Sequence, residues 1–177
     1  MKAIYALSAD PVHLGHIWVI EKASLLTEEL IVAIGDNSDK KYLFSLEDRL
    51  QMLSESVSHL KNVKVTSYPK MFLADFAKKQ NISVLIRGIR SADDFNYERR
   101  LQDFNVMAWP KLTTLYISPP ADICILQSSL VRGIMGYENW EEYASQMVPD
   151  EVFKRLKKWK SLTDSGPSGL LLPINVN

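Results

Sequence analysis

In the stretch Ser8-Ala9-Asp10-Pro11-Val12-His13-Leu14-Gly15-His16, two histidines flank a Leu-Gly pair, in a chain of 177 residues with three histidines in all. An imidazole can donate a hydrogen bond, accept one, or change charge near neutral pH. A close pair after a short apolar run therefore marks a place for chemistry. Asp36, Asn37, Lys40 and Lys41 follow the second of five short runs of this kind, Arg87, Gly88 and Arg90 the fourth, and Ser118 the fifth, with Gln127, Ser128 and Ser129 further on. Lys and Arg in such places suit anionic ligands, and helix starts add backbone N–H donors for phosphate. Lys plus Arg equals Asp plus Glu, 21 each, so any phosphate binding rests on local clusters rather than on net charge. No basic stripe interleaved with aromatics points to nucleic acid. The patterns GxxxxGK(S/T), GxGxxG and GxSxG are missing, and no Ser-His-Asp order stands out. This argues against a P-loop NTPase, an ordinary dinucleotide oxidoreductase and a serine hydrolase. The lone Cys124 leaves no internal disulfide and no cysteine-built zinc site.

These residues need elements to position them. "KAIYAL", "ELIVAIGDN", "NVKVTSY", "SVLIRG" and "TTLYIS" read as five strands, several continuous enough in apolar residues to be buried on both faces. Between them lie helical patterns. "HIWVIEKASLLT" starts from His16, with His13 in the loop before it. "SLEDRLQMLSESVS" opens on a capping-box-like Ser45 and Asp48, and puts Leu46, Leu50, Leu53 and Val57 on one face. "MFLADFAKKQ" and "ADDFNYERRLQDFNVM" follow, then "SSLVRGIM" behind a Ser-Ser cap, and "PDEVFKRLKKW" after Pro149. The alternation predicts an α/β fold: a single Rossmann-like, doubly wound domain with a mostly parallel five-stranded sheet flanked by helices. Residues 1–160 form the domain and 161–177 a Ser-, Gly- and Pro-rich extension, flexible or docked through its Leu170-Leu171-Leu172 run. No segment is apolar for long enough to cross a bilayer, and no signal peptide precedes the first strand, so a cytoplasmic location is expected. In an open parallel sheet, ligands bind beyond the carboxyl ends of the strands, near the switch in strand order. All the clusters above fall on that edge.

His-x-Gly-His at the mouth of the first helix resembles the signature of the nucleotidyltransferase superfamily that includes class I aminoacyl-tRNA synthetases. The spacing lets both imidazoles face a triphosphate, and Gly15 is expected to let the backbone pass close to a nucleotide. "KKYLFSLEDRLQML", "VLIRGIRSADDFNYERRLQDFN" and "SSLVRGIMGYENWEEYASQMVPDEV" resemble the bacterial phosphopantetheine adenylyltransferase family in order and spacing, from Lys2 to about Lys160. "RGIR" followed by "DFNYE" is the most specific part.

The resemblance implies ATP and 4'-phosphopantetheine as substrates, giving dephospho-coenzyme A and pyrophosphate. It implies Mg²⁺ carried on the ATP phosphates with no ligand from the protein, and a homo-oligomer, a hexamer. The catalytic set it implies is His16, Lys40, Arg90 and Ser8. His16 would stabilise charge on the α-phosphate, and Lys40 would hold the acceptor phosphate. The ATP site would comprise Ser8, Ala9, His13, His16, Gly88, Ile89, Arg90, Glu98, Ile123, Cys124, Ile125, Leu126, Gln127, Ser128 and Ser129. Acceptor binding would involve Ser8, Lys40, Leu73 and Arg87. Such a transfer suits these residue types. The attacking phosphate is already ionised, so positioning and charge stabilisation can carry the step without a strong base.

The chain departs from the family inside the site. Where members read Gly-Ser/Thr-Phe-Asp-Pro, it reads Leu7-Ser8-Ala9-Asp10-Pro11, and their Ile-Ser-Ser-Ser is Leu126-Gln127-Ser128-Ser129. "DPVHLGH" is itself closer to nicotinate mononucleotide adenylyltransferases. Two other readings therefore stand beside the first: an adenylyl- or cytidylyltransferase for another phosphorylated acceptor such as nicotinate mononucleotide, and a nucleotide-binding protein without turnover. Structural roles compete at single residues too. Arg87 could pair with Asp93 or Asp94, Glu98 with a Lys or Arg, and Lys40-Lys41 could be a solvated turn. Ser128 and Ser129 could be helix caps, and Cys124 a small half-buried side chain. Trp18, Trp109, Trp140 and Trp159 are expected in packing or subunit contacts. The helix face around Asp103 is expected in solvent, and His59 exposed without a partner.

Overall fold

The computed structural model describes residues 1–37, 40–68 and 70–165. Five strands, β1 Lys2–Leu7, β2 Glu29–Ile34, β3 Val63–Ser67, β4 Val84–Gly88 and β5 Thr113–Ile117, form one sheet in the order β3-β2-β1-β4-β5. Every pairing is parallel. The helices are α1 Leu14–Leu26, α2 Leu46–Ser56, α3 Leu73–Lys79, α4 Ala92–Ala108, α5 Ala121–Cys124, α6 Ser128–Ile134, α7 Trp140–Ala144 and α8 Asp150–Asp164. The five strands lie where the apolar runs predict them. The short α5 and α7 were not expected: four and five residues are too few to show a helical period.

Strand alternation divides the core in two. Ala3 and Tyr5 of β1 pack with Ile17 and Ile20 of α1, Leu53 of α2 and Leu156 of α8. Ile4 and Ala6 point the other way, to Ala74, Phe76 and Ala77 of α3 and to Trp109. With both faces covered, the central strands can be apolar throughout. β1 has β2 on one side and β4 on the other, so the chain reverses its direction of travel across the sheet between β1 and β4. That is the switch point, and the carboxyl ends of these two strands set the site.

Ser45 caps α2 as its spacing predicts, accepting from the Asp48 N–H at 3.1 Å and donating to the Asp48 carboxylate at 2.7 Å. The expected Ser-Ser cap is corrected. Gln127 is the N-cap of α6, and Ser128 and Ser129 are its first helical residues. The boundary placed at Ser161 falls inside α8, which continues to Asp164. The Leu170-Leu171-Leu172 run lies outside the described residues. All four tryptophans pack on the body: Trp109 and Trp140 are buried, and Trp18 and Trp159 sit partly buried against the first core cluster. His59 does have a partner, with its Nε2 3.4 Å from Glu21 Oε1 at the surface. Asp103 is exposed as expected and pairs with Arg99.

Candidate active site

His13 is the N-cap of α1 and His16 its third helical residue. The backbone N–H of His13 donates to His16 Nδ1 at 3.3 Å, and the two rings stack with centroids 3.6 Å apart. A Cβ on Gly15 would stand 2.8 Å from two ring atoms of His13. The stacked imidazole therefore requires a glycine at this position, a reason within the fold that stands beside the expected one, approach of a nucleotide. Because His16 Nδ1 accepts, the proton of the neutral ring belongs on Nε2, as a donor. Burial, then His13, then Arg90 hold His16 well below the ordinary histidine range. Burial and Arg90 push His13 down to about 3. Both rings are neutral at physiological pH, so His16 offers the cleft a neutral Nε2–H donor rather than an imidazolium.

The loop carrying the histidines is pinned from three sides. The buried Asp10 carboxylate accepts from the Leu43 N–H at 2.9 Å and the Phe44 N–H at 2.9 Å. Arg49 of α2, fully buried, donates to the Ser8 carbonyl at 3.0 Å and to Asp36 at 2.6 Å, with its guanidinium over the Tyr42 ring. From α6, Ser128 Oγ donates to the Pro11 carbonyl at 2.9 Å, and Arg132 NH1 donates to the Asp10 carbonyl. Sequence reasoning singled out neither Arg49 nor Arg132. The i, i+4 spacing of Ser128 and Arg132, which puts both on one helix face, was the available signal for the second.

Arg87 and Arg90 leave β4 towards the same edge, and each is forked onto a carboxylate of α4. Arg87 Nε donates to Glu98 at 2.6 Å, its NH2 donates to the other Glu98 oxygen, and its NH1 reaches the Ala6 carbonyl at 2.6 Å. Burial works against the Arg87 charge, but Glu98 outweighs it and raises the pKa. Arg90 Nε donates to Asp94 at 2.7 Å, and its NH1 to the Leu126 carbonyl at 3.2 Å. The structural partner expected for Arg87, Asp93 or Asp94, is corrected to Glu98. Positions 94 and 98 share a helix face, so α4 offers one carboxylate to each arginine.

Two clefts meet here. The larger, about 1260 Å³, runs out past Asn37, Tyr68, Met71 and Phe72 to Lys78 and Lys79 of α3. The smaller, about 420 Å³, holds His13, His16, Gly88, Arg90, Glu98, Ile123 and Gln127 to Ser129. Ala6, Leu7, Ser8, Lys40 and Arg87 line both. A phosphate held at this seam from one cleft would face a nucleotide lying in the other. Leu7, where the resembling family has glycine, stands in the seam itself. Ala9, where it has Phe, is buried with φ +54°, a left-handed backbone that a side chain tolerates at a cost.

The cytidylyltransferase-like family matches residues 5–146. Phosphopantetheine adenylyltransferase from Chromobacterium violaceum is 37% identical over 155 residues, covering 88% of this chain and 94% of that protein. The protein of the same name from Legionella pneumophila (strain Lens) is 40% identical over 157 residues, covering 89% and 90%. The chain belongs to the phosphopantetheine adenylyltransferase family. Its fold also extends beyond that family. Nicotinic acid mononucleotide adenylyltransferase from Plasmodium falciparum, solved with NaAD, superposes with a TM-score of 0.67 at 18% identity, over 93% of this chain and 98% of that one. At that identity the likeness is one of fold.

Several residues expected in the site of a phosphopantetheine adenylyltransferase are not among those that line the two clefts. Leu73 does not line the larger cleft. It packs, partly buried, against the second core cluster, and Met71 and Phe72 line the wall beside it. Ile89 extends the β-ladder, its N–H donating to the Ile117 carbonyl, and does not line the smaller cleft. Of the run from Ile123 to Ser129, Cys124, Ile125 and Leu126 do not line it either. Cys124 Sγ sits 3.3 Å from the Pro119 carbonyl, Ile125 faces solvent, and Leu126 is buried with its carbonyl turned to Arg90. Lys41 is exposed and lines neither cleft, unlike Lys40.

Proposed function

We propose that this chain is a nucleotidyltransferase that moves AMP from ATP to 4'-phosphopantetheine, giving dephospho-coenzyme A and pyrophosphate. The observation that carries it is the seam of Ser8, Lys40 and Arg87 between two clefts, in a chain up to 40% identical to proteins named for that reaction. ATP lies in the smaller cleft with its α-phosphate towards His16 Nε2. The acceptor lies in the larger one, with its phosphate against Lys40. The acceptor oxygen attacks the α-phosphorus in line, and pyrophosphate leaves. His16, Lys40 and the arginine pairs position the reactants and oppose the charge that develops, so no covalent intermediate is needed.

The carboxylates lining the smaller cleft, Asp10 and Glu98, already accept from backbone N–H groups and from Arg87. Mg²⁺ accordingly enters as magnesium-ATP, held by phosphate oxygens. An ATP-consuming enzyme with one unpaired cysteine fits the cytoplasm.

Pyrophosphate release should be at least tenfold faster with 4'-phosphopantetheine than with nicotinate mononucleotide at equal concentration. The reverse preference would move the chain to the second acceptor. ATP binding without release with either would make it a binding protein.

We also propose that a second copy of this chain packs against α4. That helix has no buried residue and exposes Phe95, Tyr97, Leu101, Phe104 and Met107 beside the outer strand β5. So much apolar surface on one element marks an interface. Light scattering should give a multiple of 20.2 kDa, six copies by family resemblance, and Phe104→Glu with Met107→Glu should lower it. A monomer at working concentration would overturn this placement.

A further inference from the structure

Tyr68 stands just after β3, and its backbone N–H continues the ladder by donating to the Ile34 carbonyl at 3.1 Å. Its ring stacks on Phe76 of α3, with centroids 5.3 Å apart. The half-buried side chain is thereby fixed from two sides, and it lines the larger cleft. Its hydroxyl lies against Gly35, just beyond β2, where a Cβ would stand 2.6 Å from the phenol oxygen. A glycine there leaves the oxygen its place on the cleft wall. Gly35 in turn donates its N–H to the Leu7 carbonyl at 3.1 Å, and Leu7 belongs to the seam. The phenol therefore stands beside the place where the acceptor phosphate is held. Burial raises its pKa, with Arg87 working against the rise, so the group is a neutral hydroxyl at physiological pH. Among the described residues nothing hydrogen-bonds to that hydroxyl. Polar groups set into a protein wall are ordinarily paired, and in a substrate cleft the bound substrate can supply the partner.

We propose that the Tyr68 hydroxyl hydrogen-bonds the secondary hydroxyl of the acceptor and so selects for acceptors that carry one. The inference rests on the adenylyl-transfer reading. In 4'-phosphopantetheine the phosphate ester is followed by a dimethyl-bearing carbon, then by a secondary hydroxyl, then by an amide. With the phosphate at the seam, that hydroxyl is the first polar group met on the way out along the wall that Tyr68 lines. Leu7, Met71 and Phe72 offer apolar surface to the carbons around it. A phenol and an alcohol can each donate and accept, so the two satisfy one another in a single contact. Tyr68 binds and orients, and the chemistry stays at the phosphate. An acceptor without the hydroxyl strips water from the phenol and returns no partner, which is how a wall of this kind rejects it.

The test is steady-state kinetics of the full chain, as wild type and Tyr68→Phe, with 4'-phosphopantetheine and with the same compound lacking its secondary hydroxyl. Phenylalanine keeps the ring stack on Phe76, so the Tm should hold. Tyr68→Phe should raise the KM for 4'-phosphopantetheine about 3–10-fold, the cost of one neutral hydrogen bond, and change kcat and the KM for ATP less than about twofold. Wild type should lose a similar factor on the acceptor without the hydroxyl, whereas Tyr68→Phe should treat the two acceptors alike. An unchanged acceptor KM in Tyr68→Phe, a KM for ATP that rises with it, or a variant that keeps the full wild-type preference for the hydroxylated acceptor would overturn the proposal and leave Tyr68 as a packing residue. If that result comes from a wild type that turns over 4'-phosphopantetheine, only this inference fails. A wild type inactive with 4'-phosphopantetheine removes the adenylyl-transfer reading as well.

Discussion

Replacing His16 with alanine should lower kcat by about 10²–10³-fold, the usual cost of removing one donor aimed at developing charge, with KM for ATP changed only a few-fold. His16 Nδ1 accepts from the His13 backbone, so the cleft is offered a neutral Nε2–H. Burial, with His13 and Arg90, holds the ring below its ordinary pKa, so it stays neutral from pH 8 down through 6.5. The sign of the pH effect follows. An imidazolium donor would lose activity as pH rises through 6.5, whereas a neutral donor gives a flat kcat across that range. His16→Gln, which keeps a neutral N–H near the position of Nε2, should retain more activity than His16→Ala. Steady-state kinetics between pH 5.5 and 8.5 decide it. An alanine variant within fivefold of wild type, or a wild-type kcat that falls tenfold per unit above pH 6.5, would sink the mechanism.

The legibility of this chain follows from the range of the interactions involved. The strands could be read because each is a short, almost unbroken apolar run, and α2 because Ser45 and Asp48 form a local cap. The histidine loop could be read because its members lie within nine residues, after a strand. What could not be read depends on partners far apart in sequence. Asp10 meets Leu43 and Phe44 more than thirty positions away, and Arg132 meets Asp10 across 122. No local pattern announces either. Arg87 was read as a ligand residue with a carboxylate among its alternatives. The carboxylate is Glu98 rather than Asp93 or Asp94: Asp94 stands on the same face of α4 one turn earlier, and Arg90 takes it. Leu73 shows the limit of resemblance alone. Its place was carried over from the family, and at the start of α3 it packs, partly buried, against the second core cluster while the two residues before it line the cleft.

The same long-range dependence makes Asp10 the most consequential stability position in the loop. Asp10→Ala should lower stability by about 3–5 kcal/mol, and Asp10→Asn by less. The alanine variant strands the Leu43 and Phe44 N–H groups, which now donate to the carboxylate, and each stranded buried donor costs about 1–3 kcal/mol. It also removes the carboxylate nearest Arg132. Asparagine keeps one acceptor oxygen, enough for part of the pair. For a domain of this size the alanine change corresponds to roughly 6–20 °C in Tm. Function should fall as well, because the loop that loses its anchor delivers Ser8 to the seam and His13 to α1. Activity measured well below the new Tm should drop at least tenfold through KM and kcat together, unlike the kcat-only loss at His16. Thermal denaturation of the two variants beside wild type checks the order. A Tm for Asp10→Ala within 3 °C of wild type would show that the loop keeps its shape without the carboxylate. The site would then be held mainly by Arg49 on the Ser8 carbonyl and by the Ser128 and Arg132 contacts from α6.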